Sequence, residues 1–150
     1  MIQRIQTIYL LIIVVLMVMT MSLPMGYFYT ETSIIQLSSL SLRSGEDVIS
    51  NSPWPMFVIS IIVAIITFIT IFSYKIRQLQ IRFTSYSILF LIGYYIVFAL
   101  LVWKMTTTYS YKFSCSWAIC LPLISIILGW MAIRAIKKDE VLVKSYDRIR

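Results

Sequence analysis

The sequence contains no histidine, and only two cysteines, four glycines, four prolines and six acidic residues among 150. Without histidine there is no histidine-ligated haem, no common zinc site, no serine–histidine dyad and no ordinary proton relay near neutral pH. So few glycines leave no glycine-rich phosphate loop. Two thiols cannot staple a small secreted domain. Cys115 and Cys120 are expected on one helix, where five residues put their Cα atoms ~8–9 Å apart, beyond the reach of a disulfide. Packing is their expected role, with a redox role for Cys115 near the outer interface as the alternative.

Charge is scarce as well. Charged residues make up 13% of the chain, against about 25% in a soluble domain. What fills the space is apolar: 60% of residues, with a mean hydropathy of +0.89. A soluble fold of this size buries only about 70% of the surface of its unfolded chain, so this composition excludes a soluble globular enzyme and points to an integral membrane protein.

Four apolar runs are long enough to span a bilayer, at 5–23, 54–74, 83–103 and 113–133. A run of 21 residues makes a helix of about 31 Å, matching a hydrocarbon core of ~30 Å. None alternates with period two, so a β-barrel is excluded, and helices satisfy their own backbone hydrogen bonds in lipid. The first run also resembles a signal peptide in its basic start and apolar centre, but no Ala-x-Ala-like site follows, so a retained anchor is expected. The expected fold is an all-α membrane protein, residues 1–150 forming one integral membrane domain. Its four transmembrane helices form an up-down four-helix bundle, and the fourth extends into the cytoplasm.

Lysine and arginine set the orientation. With both termini inside, Arg4, Lys75, Arg77, Arg82, Arg134, Lys137, Lys138, Lys144, Arg148 and Arg150 are internal, and only Arg43, Lys104 and Lys112 are external. N and C termini are therefore expected in the cytoplasm of a multi-pass protein. The net charge of +7 is explained by basic residues at helix ends beside anionic head groups. Nucleic acid is not an expected partner, because no basic face interleaved with stacking aromatics is present.

Two segments outside the apolar runs carry information. The extracytoplasmic loop 24–53 contains a turn signal at Arg43-Ser44-Gly45-Glu46. It reads either as a short β-hairpin, Ser33 to Leu42 against Glu46 to Ser50, or as a partly ordered connector. A lone hairpin is marginal in water, so it would lean on the membrane surface, the third loop or a partner. The tail 134–150 has no helix breaker, and Glu140 precedes Lys144 by four residues, the favourable order for an ion pair. It reads either as a solvated extension held to the leaflet by charge or as a partner-docking helix. The docking candidates are Arg134, Lys137, Lys138, Asp139, Glu140, Leu142, Tyr146 and Arg148.

Inside the expected spans there is no ionisable acid or base, the usual mark of function in a membrane. No catalytic, cofactor or metal residue is expected. Ser60 with Ala64, and Ser125 with Gly129, are small-xxx-small pairs suited to close helix packing. Pro122 falls in the expected fourth helix, where it removes a backbone hydrogen bond and can kink it.

The start MIQRIQTIYLLI, the end CLPLISIILGWMAIRAIKKDEVLVKSYDRIR and the middle segment IFSYKIRQLQIR resemble a family of small bacterial inner-membrane proteins, Bacteroidota-type, known as a domain of unknown function. The resemblance rests on Gln3, Arg4, Gln6, Lys75, Arg77, Leu79, Gln80, Arg82, Pro122, Arg134, Ala135, Asp139, Glu140, Ser145, Asp147 and Arg148. The chain departs from the pattern at Ile76, apolar where a polar residue is implied. The resemblance implies an inner-membrane location and four helices, and no activity. The functional expectation is a non-catalytic accessory or structural subunit that binds another membrane protein or a second copy of itself. A small oligomeric channel or transporter, lined by Thr67, Thr70, Ser87, Tyr94 and Tyr95, is the alternative.

Overall fold

The computed structural model describes the backbone of residues 2–30, 33–44, 47–50, 53–73, 76–109 and 111–147, and their side chains except at 2–5, 47–50, 77, 109, 140 and 142–147. Among the described residues there are four α-helices: α1 (Ile2–Ser22), α2 (Trp54–Phe72), α3 (Arg77–Tyr109) and α4 (Cys120–Asp147). Each consists of residues that satisfy their backbone locally. α2 opens on Trp54-Pro55, where proline's missing N–H is not needed. It stops at Ser73, whose N–H closes onto Ile69 and Thr70.

α2, α3 and α4 with the 3-10 turn before it carry stretches long and apolar enough to cross a membrane, at Trp54–Phe72, Gln78–Thr108 and Trp117–Asp139. The apolar part of α1, counted over its described side chains, is the shorter Gln6–Ser22, about 26 Å of helix. α1 lies against α2 and α4, and α3 against the same two. Leu10, Ile13, Met17, Val63, Leu91 and Ala132 fill the space between them.

Two helix boundaries differ from expectation. α3 runs well beyond 83–103 at both ends, because neither proline nor glycine interrupts Arg77–Arg82 or Lys104–Tyr109. α4 starts at Cys120 instead of 113, preceded by a 3-10 turn at Trp117–Ile119. Pro122 therefore occupies the first turn of α4, where proline is tolerated, and no mid-helix kink follows from it.

The larger difference is a five-stranded antiparallel sheet where at most a hairpin was expected. Its strands are β1 (Gly26–Tyr29), β2 (Ile34–Leu37), β3 (Leu42–Ser44), β4 (Asp47–Ser50) and β5 (Lys112–Cys115), in the order β4-β3-β2-β1-β5. The expected strand 33–42 is broken by a turn in which the Ser38 N–H donates to the Ser41 carbonyl. Gly45 and Glu46 of the expected turn lie outside the described residues. β5 comes from the α3–α4 connection, so the third loop is the support that the first loop leans on. Met25 extends the ladder on both sides, donating to Leu37 and accepting from Ser116.

One sheet face is buried. Phe28, Ile35, Leu37 and Leu42 join Met25, Met56, Tyr94, Phe98, Leu101, Ala118 and Leu121 in a single core at this end of the helices. The Phe113 ring, 5.0 Å from Phe28 and 5.9 Å from Phe98, lies over Gly26. A Cβ on Gly26 would meet the ring at 2.5 Å and the Ser114 carbonyl oxygen at 2.8 Å. Gly26→Ala is therefore expected to cost about 1–3 kcal/mol, as overpacking does. A lowered unfolding temperature in detergent would register it, and an unchanged one would contradict the close β1–β5 contact.

Candidate functional site

The small residues identified in the sequence do meet in the helix layer. Ser60 is buried, with its hydroxyl donating to Met56 at 2.9 Å, and Ala64 lies against the inter-helix core. Ser125 is buried and donates to Leu121 at 3.0 Å. Gly129 lets α3 come close: a Cβ there would sit 3.1 Å from Ile88.

Four of the five polar residues offered as a channel lining are hydrogen-bonded within the protein. The Thr67 and Ser87 hydroxyls share a hydrogen bond of 3.3 Å between α2 and α3. Thr70 donates to Ile66 at 2.7 Å, and Tyr95 donates to the Ile119 carbonyl at 2.6 Å. Tyr94 is fully buried in the core beneath the sheet.

Two buried glutamines form ties whose roles the composition did not reveal. Gln80 Nε2 donates to the Thr70 carbonyl at 3.1 Å, joining α3 to the last turn of α2. Gln6 Nε2 donates to the Ala135 carbonyl at 3.2 Å, joining the start of α1 to α4. Gln6, Gln80 and Ala135 all stood among the residues carrying the family resemblance. That was the available signal, and the structure gives it a physical content: each amide joins two neighbouring helices away from the sheet.

The docking candidates divide. Arg134, Lys137 and Lys138 are exposed on α4, and the Arg134 guanidinium lies 4.4 Å from the centre of the Trp130 ring. Asp139 was expected on the same accessible surface and is instead buried, with 9% of its surface exposed. It falls on the side of α4 that carries Ala132 and Ile136, both fully buried. The side chains of Glu140, Leu142 and Tyr146, and all of Arg148, lie outside the described residues. The cysteines are separated by the late helix start: Cys115 ends β5 and Cys120 begins α4, and both are exposed thiols. They do not pack into the core as expected.

Register defines a surface the sequence reading missed. Tyr27 stands opposite Gln36 and Ser114, Gln36 opposite Arg43, and Tyr29 opposite Ile34 and Lys112. All are on the side of the sheet away from the helices, with Tyr29 46% and Ile34 55% exposed. Short alternating segments in a loop gave only a weak signal for this face. Among the described residues, no three cysteine, aspartate or glutamate side chains come together as a metal site.

The pattern of a family described as a domain of unknown function, DUF4293, matches residues 2–149. The chain belongs to this family. The match covers the helices, the sheet and both glutamine ties, so the whole architecture is the family's domain. No curated protein matches the chain.

Gly129 offers a direct check on the α3–α4 contact. Gly129→Ala should be nearly tolerated, because Ile88 need give only a few tenths of an ångström. Gly129→Leu should cost about 1–3 kcal/mol, read as a drop in thermal stability in detergent. Equal stability of the two variants would contradict the close approach.

Proposed function

We propose that the chain is a multi-pass protein of a bacterial inner membrane with four spans in an up-down bundle and both termini in the cytoplasm. In this reading it serves as a non-catalytic accessory or structural subunit for another membrane protein. Support for the fourth span comes from α1, which exposes Ile8, Leu11, Ile12, Val15, Val18 and Met19 much as the other helices expose their apolar faces. Orientation is supported by the sequence count, ten basic residues flanking the runs on the proposed cytoplasmic side against three on the other.

The observation that carries the functional reading is the internal use of polar groups in the helix layer. The Thr67–Ser87 bond and the hydroxyl–carbonyl bonds of Ser60, Thr70, Tyr95 and Ser125 favour packing over a lined passage. No histidine is present to supplement them. With Asp139 buried, the water-facing side of the sheet replaces the α4 tail as the preferred surface for a protein partner. Its neighbouring Tyr29 and Ile34 offer an aromatic and aliphatic anchor of the kind that dominates binding energy.

Purification of the full chain in mild detergent, followed by quantification of co-eluting membrane proteins, tests this. A stoichiometric partner is expected. Its recovery should fall at least about tenfold when Tyr29→Ser and Ile34→Ser are combined, a loss of ~1.4 kcal/mol or more. A lone oligomer that conducts ions in liposomes, with conductance altered by Thr67→Val, would support the channel instead.

A further inference from the structure

The exposed row along α4 changes character partway down the helix. Leu123, Ile127 and Trp130 are followed by Arg134, Lys137, Lys138 and Val141, all exposed. Successive residues advance by about 100° around a helix, and these positions fall on one side. The opposite side carries Ser125, Gly129, Ala132, Ile136 and Asp139, all buried. Asp139, buried on that opposite side, lies off the exposed row.

Where aliphatic residues give way to cations, the side chains are already arranged. Trp130 is 54% exposed, and the Arg134 guanidinium rests 4.4 Å from its ring centre. A guanidinium grips phosphate oxygens through a two-pronged set of donors, and an indole settles at head-group depth with its N–H turned to polar groups. Lys137 and Lys138 add charge one turn further along. Gly129 of α4 faces Ile88 of α3 and Tyr95 reaches Ile119, so α3 and α4 run antiparallel. That register brings exposed Arg82 of α3 to the level of Arg134.

We propose that Trp130, Arg134, Lys137 and Lys138 bind the phosphate of an anionic membrane phospholipid, with its acyl chains lying along Leu123, Ile127 and Met131. Continuity of the cations with an exposed aliphatic row selects a lipid over free phosphate, which would make no use of that row. Charge complementarity selects an acidic head group over a zwitterionic one. The site rests on the chain residing in a bilayer, as proposed above, and is independent of any protein partner.

The test uses the full-length chain, delipidated in non-ionic detergent and titrated with phosphatidylglycerol or phosphatidylcholine of identical acyl chains. Bound lipid is counted by native mass spectrometry. At least about tenfold preference for phosphatidylglycerol is expected, weakened about fivefold by Arg134→Gln, the equivalent of ~1 kcal/mol per charge near the surface. Lys137→Gln with Lys138→Gln should weaken it further, and Trp130→Leu should lower binding of both lipids. Millimolar inorganic phosphate should not displace the lipid. Equal binding of the two lipids, a preference unchanged in the arginine and lysine variants, or displacement by inorganic phosphate would each overturn the site. Failure of the wild-type chain to insert into nanodiscs would instead contradict the bilayer reading.

Discussion

A peptide group carried into hydrocarbon meets no water, and leaving it without a hydrogen bond costs several kcal/mol. That constraint orders the rest of this molecule. The long apolar segments are helical over most of their length, with backbone bonds closed inside each helix. The strands gather at one end of the helices. There, strands from two connections far apart in sequence pair with each other, and Met25 bonds on both sides, to Leu37 and Ser116. β5 has no partner within its own connection; pairing with β1 supplies one and lays Phe113 into the core beneath the sheet.

The same constraint extends to side chains. Ser60, Thr70, Thr84, Ser87 and Ser125 each donate to the carbonyl four residues back on their own helix. Such hydroxyls are quiet inside a helix layer, because their polarity is spent locally. Helix-to-helix polar contacts among the described residues include Thr67 with Ser87, Gln80 with Thr70 and Gln6 with Ala135. The resulting arrangement is a packed layer with a polar cap at one end and exposed cations at the other. That arrangement supports the proposed contact with lipids and other proteins.

Much of this was legible in the residues. Trp54–Phe72 stands almost where the apolar run placed it, and Ser125 with Gly129 sits in a helix contact as small-residue spacing implies. The sheet was half-legible. Alternation around 33–50 suggested strands, but Phe113-Ser114-Cys115 read as the start of the fourth apolar run, 113–133, and not as part of a strand. The partner of β5, β1, lies more than eighty residues earlier, and local pattern does not report so distant a pairing. Asp139 failed for a related reason. An acid set among lysines and arginines reads as solvated, and only the packing of α4 reveals that its position faces inward. The glutamine ties were visible solely as members of a recurring pattern, since a glutamine near a helix end has no periodic signature.

In the proposed topology the sheet and the Arg134–Lys138 row lie on opposite sides of one membrane. Cys115 is a native exposed thiol at the sheet end. A single cysteine at Lys138, in a chain with both native cysteines replaced by serine, marks the other end. Labelling of intact cells, with the outer membrane permeabilised, by a membrane-impermeant maleimide measures the claim directly. Cys115 should be modified in intact cells, and the engineered site only after the inner membrane is opened. Equal labelling of both sites in intact cells, or protection of Cys115 alone, would contradict it.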